Sequence, residues 1–177
     1  LALGGPLVKN RTFYYLGFEQ EHSRSREDAY LPPSVASTVN RILGTRRVSD
    51  DPFPASRAET EASAKINHQL TPRNSLMLRY ALTNNREAGD AFHTAGWDDP
   101  SARGSSFTQD HALVGSLTSV FTPASLGDLR FQVAVRRVVL RTNDATGPGV
   151  QIAGLVNFGR PYDGNGSRTE THHQLTY

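Results

Sequence analysis

The residues of this 177-residue chain whose types could do chemistry are six histidines, the acidic pair Asp98-Asp99 and a set of arginines. His22, His68, His93, His111, His172 and His173 show no metal-ligand spacing of the H-E-x-x-H kind. His172 and His173, adjacent in a strand, would point to opposite faces, which weakens joint ligation. His93, Trp97, Asp98 and Asp99 fall in one irregular stretch, where they could coordinate a cation or grip a polar solute. The simpler expectation for that stretch is a solvated loop. Arg79, Arg130, Arg136 and Arg141 alternate with apolar residues, so on a two-sided sheet they line the polar side. There they could border a solute path or pair with carboxylates such as Glu59 and Glu61. The chain has no cysteine, and no Ser-His-Asp or paired-carboxylate arrangement has a supporting context. The reading is therefore non-enzymatic, with no catalytic, metal-binding or cofactor-binding residue. The candidates for substrate contact are His93, Trp97, Asp98, Asp99, Arg79 and Arg130.

The elements that must position these residues are strands. Ala62, Ala64, Ile66, His68 and Leu70 share one face against Glu61, Ser63, Lys65, Asn67 and Gln69. Leu76, Leu78, Tyr80 and Leu82 do the same against Met77, Arg79, Ala81 and Thr83. Leu113, Leu117 and Phe121 are in phase, and Leu129, Phe131, Val133 and Val135 alternate with Arg130, Gln132, Ala134 and Arg136. Val138 and Leu140 stay on the apolar face only if Arg136-Arg137 hold a β-bulge. Thr12–Glu21 is aromatic and strand-favouring. Ser34–Leu43 reads as a short helix capped by Ser34 and ended by Gly44, with Val35, Val39, Ile42 and Leu43 on one face.

The connections are asymmetric. Leu70-Thr71-Pro72-Arg73-Asn74 and Phe121-Thr122-Pro123-Ala124-Ser125 are tight turns, and short turns are expected near 6–11, 71–75 and 122–128. Long loops are expected near 23–56, 86–106 and 142–170, with the last strand starting near Thr171. Short turns at one end of a meander and long loops at the other are the pattern of a transmembrane β-barrel. The mean hydropathy of −0.48 agrees with strands that alternate, and no run approaches the ~18 apolar residues of a membrane helix. The net charge of +2 comes mostly from arginines spread over strands and loops, which argues against a nucleic-acid surface. Both Leu1 and Gln174-Leu175-Thr176-Tyr177 read as strand interior, so a piece of a longer polypeptide is expected.

Gly4-Gly5-Pro6-Leu7-Val8-Lys9-Asn10-Arg11-Thr12-Phe13-Tyr14-Tyr15 resembles the segment that closes an early barrel hairpin in Oar-like TonB-dependent outer-membrane transporters. Lys65–Tyr80 resembles the next periplasmic turn with its two strands, and the likeness extends over most of the chain. The resemblance implies an all-β, antiparallel up-and-down meander. It would form part of a large transmembrane β-barrel with long extracellular loops, in the outer membrane of a Gram-negative-type bacterium. Residues 1–177 would be a partial barrel. The implied partners are outer-membrane lipid, the remaining strands and plug domain of the parent chain, and the TonB complex through the parent only. The implied function is non-catalytic: wall and loops of a transporter moving a substrate across the outer membrane. The family's loop ligands match no motif here, so no binding residue is carried over. A soluble secreted β-rich binding or adhesion module is the alternative from another class.

Overall fold

Among the described residues the chain is all-β apart from one helix and one helical turn. In a computed structural model, residues 1–28, 31–44, 48–91, 98–161 and 165–177 are described. Strands β1 (Ala2–Val8), β2 (Thr12–Glu27), β3 (Phe53–Thr71), β4 (Asn74–Ala91), β5 (Gly104–Thr122), β6 (Ser125–Thr142) and β9 (Gly166–Thr176) form one antiparallel sheet, paired in that order. A small hairpin, β7 (Val150–Ile152) with β8 (Val156–Phe158), and helix α1 (Pro33–Leu43) lie in the connections. The sheet is not closed: β1 and β9 each pair with one neighbour only.

The tight turns owe their shape to local side-chain bonds. Thr71 Oγ1 accepts the Arg73 backbone N–H at 3.3 Å and the Asn74 side-chain amide at 2.8 Å. Thr122 Oγ1 takes the Ala124 N–H in the same way, at 3.3 Å. A hydroxyl before proline thus replaces a backbone acceptor, which is why Thr-Pro recurs where the chain reverses. The first turn instead uses Asn10 in the left-handed region (φ 59°), which asparagine tolerates. Pro6 sits within β1, at an edge where its missing N–H costs no ladder bond on the outer side.

The strands reach further than side-chain alternation indicates. Residues 23–27, 53–56, 86–91, 104–106 and 166–170, expected as loop, are paired strand, and the turns narrow to 9–11, 72–73 and 123–124. Ladder pairing depends on backbone groups, so it continues where the side chains no longer sort by polarity. Arg136-Arg137 hold no bulge, the condition on which Val138 and Leu140 would have stayed on the apolar face. β6 runs against β5 from Leu126 to Thr142 and against β9 from Arg130 to Leu140 in unbroken register. Consequently Val138 and Leu140 share a face with Arg136, whereas Arg137, Val139 and Arg141 share one with Val135.

The main buried cluster lies in the connections; on the seven-stranded sheet only Phe53 and Ala55, at the start of β3, are buried apolar residues among those described. Leu31, Ala36, Val39 and Val48 pack with Val156 and Phe158, and Val35, Val150 and Ile152 lean against them. Helix α1 differs from its expected form in its N-cap and in the stripe it buries. Pro32 occupies the cap position without a side-chain bond, and the carbonyl of Ser34 accepts the Ser37 and Thr38 hydroxyls. Val35, Ala36 and Val39 face the core, while Ile42 is 77% exposed. Gly44 does end the helix, in the left-handed conformation at φ 67°.

Candidate functional site

Three regions of the molecule carry polar chemistry: a cap where the connections meet, and the two faces of the sheet. The cap is built on Asp98 and Asp99. Asp99 accepts the Ser49 N–H at 2.6 Å and the Ser101 N–H at 2.9 Å, together with the Ser101 hydroxyl. Asp98 Oδ1 accepts the Asn157 amide at 2.7 Å, and the Asp99 N–H donates to the Asn157 carbonyl at 2.9 Å. The Gly159 N–H reaches Ser101 Oγ at 2.8 Å. Three connections are thereby tied together: 28–52 through Ser49, 92–103 through Asp99 and Ser101, and 143–165 through Asn157. Asp98 and Asp99 are 1% and 3% exposed, so they are internal fasteners rather than solvated loop residues. Below them the Arg103 guanidinium lies 4.4 Å over the Phe53 ring, both buried.

The polar face of the sheet collects the carboxylates. By register it presents Glu19, Glu21, Glu27, Glu59, Glu61, Glu87, Asp110, Asp128 and Glu170, which are all the acidic strand residues whose side chains are described. Arg79 and Arg130 lie on this face. They are two strands apart and offset by two residues along the strand, about 12 Å at the usual ~4.8 Å spacing and ~3.4 Å rise. Arg130 pairs with Asp128 (2.5 Å), and Arg136 grips Asp110 through two bonds of 2.7 and 2.9 Å. Glu59 and Glu61, the expected partners, pair with none of Arg79, Arg130, Arg136 and Arg141 among the described residues. Glu59 takes Arg57 at 2.9 Å, and Glu61 and Glu59 stand opposite Glu19 and Glu21, a like-charge arrangement. Among the described residues no three His, Asp or Glu side chains are grouped to hold a metal ion.

The other face carries an apolar band. Tyr14, Leu16 and Phe18 on β2, Ile66 on β3, and Leu76, Leu78 and Tyr80 on β4 lie along it. Leu113 on β5, Leu129 and Phe131 on β6, and Leu175 on β9 continue it across the sheet. The band is open to its surroundings: Leu78 is 41% exposed and Phe131 40%. Gly115 leaves the room that the Phe131 ring occupies, since a Cβ there would come within 2.1 Å of it. Two histidines border the band with their polar atoms engaged. His68 Nδ1 meets Thr12 Oγ1 at 2.8 Å toward the turns, and His111 Nδ1 meets the Tyr80 hydroxyl at 2.6 Å toward the cap.

Beyond the band, toward the cap, the same face turns basic. His22, Arg24 and Arg26 on β2, Arg86 on β4, and Arg137 and Arg141 on β6 lie there by register. Arg141, expected among the polar-face arginines, belongs to this belt because β6 has no bulge. The described structure thus separates the candidate residues instead of gathering them. Asp98 and Asp99 are in the cap, Arg79 and Arg130 are on the polar face, and His93 and Trp97 lie outside the described residues. The basic belt was missed because its arginines sit where alternation fades; strand register alone reveals it.

Comparison of the chain with protein-family models, with curated proteins and with solved structures returns no match.

Proposed function

We propose that this chain is wall and cap of an outer-membrane transporter barrel of the TonB-dependent, Oar-like kind, with no chemistry of its own. The apolar face meets lipid, the polar face lines an aqueous lumen, and the capped connections face outward. The observation that carries this reading is the segregation of the sheet. One face holds a continuous exposed apolar band, and every described strand carboxylate lies on the other. A water-soluble sheet has no reason to leave such a band uncovered, since large exposed apolar patches mark a contact surface. The strand lengths agree: β4 has 18 residues, against the ~9–11 that cross a bilayer at the usual tilt. The apolar band occupies the half of β4 from Leu76 to Leu82, and the cap-side half extends beyond it. The resemblance of residues 4–15 and 65–80 to transporter hairpins supports the same reading.

The test exchanges neighbours on opposite faces in the full-length protein. Leu78→Arg should cost about 2–4 kcal/mol at the lipid face and abolish assembly into the outer membrane. Met77→Arg, one residue away on the lumen face, should assemble normally. Folded barrel is scored by heat-modifiable electrophoretic mobility and by membrane fractionation. Equal tolerance of both variants, with soluble protein in each case, would favour the secreted binding module instead.

A further inference from the structure

We infer that the basic belt on the apolar face, centred on Arg86, Arg137 and Arg141, binds the phosphate-bearing headgroup of a membrane amphiphile. The inference rests on the reading that this face meets lipid, and it adds which lipid is retained there.

Arg86, Arg137 and Arg141 border a groove of about 610 Å³ floored by Ala58, Phe107 and Val139; Glu87 also lines it, but by register its side chain belongs to the opposite face, where it pairs with Arg57 at 3.9 Å. Arg86 lies 5.2 Å over the Phe107 ring, which holds its guanidinium at the groove rim. None of the three has a carboxylate partner among the described residues. The cause is the segregation of charge, because the acidic strand residues project from the opposite face. Arg24 and His22 extend the belt laterally, joined by a 2.9 Å bond from Arg24 Nε to His22 Nε2. From strand spacing and rise, Arg86, Arg137 and Arg141 fall within about 15 Å of one another. Three guanidinium forks at that spacing match one or two phosphates, whose oxygens they can bind in bidentate fashion.

The occupant must also be amphiphilic. Immediately toward the turns from the belt, the same face presents Leu82, Val135, Leu113 and Tyr80, an apolar path on which acyl chains can lie. On the strands of this face the belt occurs at one border of the band: at the turn border they carry Thr12, His68, Asn74 and Ser119, and the basic residues there, Lys9, Arg11 and Arg73, belong to the turns, where Arg11 donates to the Gln69 and Leu70 carbonyls. A ring of arginines kept merely to mark a membrane boundary would have no reason to choose one border. An anionic lipid confined to the outward leaflet gives that asymmetry a cause.

The test uses the full-length protein carrying this chain, in nonionic detergent, with dimyristoyl phosphatidic acid as probe. Phosphatidylcholine of the same chain length and inorganic phosphate are the comparison arms. Phosphatidic acid should bind about tenfold or more tightly than phosphatidylcholine. The triple variant Arg86→Gln/Arg137→Gln/Arg141→Gln should lose on the order of 100-fold, and each single variant about fivefold. The triple Lys variant should keep most of the affinity, and Arg168→Gln, on the polar face, all of it. Undiminished binding by the triple Gln variant overturns the proposal. Inorganic phosphate binding as tightly as phosphatidic acid, with the same loss on mutation, reassigns the belt to free anions and overturns the lipid as occupant. Heat-modifiable mobility is recorded for every variant. A wild type without it removes the transporter reading itself, whereas a folded barrel that binds regardless of the three arginines removes only this inference. If the triple Gln variant fails to fold, the single variants decide, and their unchanged affinity overturns the proposal.

Discussion

Asp99 shows how far one side chain can serve three segments. Its carboxylate receives the Ser49 and Ser101 amides and the Ser101 hydroxyl in a site almost closed to water. Asp99→Ala leaves those donors without an acceptor, and a hydrogen bond to a charged group is worth about 1.5–3 kcal/mol. The expected result is a cap loosened by about 2–3 kcal/mol over an unchanged sheet. Hydrogen exchange reads this directly: the Ser49, Ser101 and Gly159 amides should lose protection while the β3 to β6 ladders keep theirs. The residue types at 98–101 gave notice of polar chemistry, but not of its direction. In a sequence, Asp-Asp-Pro-Ser reads first as a solvated turn and only second as a ligand cluster. Burial, which depends on Val48 and Val156 arriving from distant segments, decides between them.

The strands were legible because each needs only its own period of two and a turn residue to stop it. Thr71-Pro72 and Thr122-Pro123 announced reversals that the structure contains, and the meander order follows from those reversals. Element ends were less legible, since pairing persists through Arg86–Ala91 and Gly166–Glu170 on backbone bonds alone. A bulge at Arg136-Arg137 would be needed only if alternation had to hold along all of β6. Where the exposed apolar band ends, the strand has no such obligation, so Arg141 follows Val135 and Val139 on one face without any break in register. Helix α1 makes a comparable point. Its apolar positions fit two overlapping stripes, and only the docking partner selects Val35, Ala36 and Val39 over Ile42. Val39→Ala should therefore cost about 1–3 kcal/mol by cavity formation, while Ile42→Ala should change stability by less than about 0.5 kcal/mol. Chemical unfolding followed by a reporter in the cap would separate the two.

At the scale of the whole molecule, an open seven-stranded sheet leaves two rows of backbone donors and acceptors, on β1 and β9. Unpaired edges are templates for further pairing and are not tolerated in hydrocarbon. The 177-residue chain expressed alone should therefore fail to insert into vesicles and should form heterogeneous oligomers, as measured by light scattering in detergent. If the proposed barrel is right, co-expression with further strands of that barrel should restore a single folded species; a monodisperse soluble monomer of the isolated chain would contradict the proposal. The cap adds a constraint in time. Leu31, Val48, Val156 and Phe158 reach one another only across hairpins that must already be in register, whereas each hairpin closes between sequence neighbours. Closing distant segments costs chain entropy before contact repays it, so the small core should be the last part to form. Until then its apolar residues are bare, and that late interval is when the chain is most open to capture by chaperones or by other copies of itself.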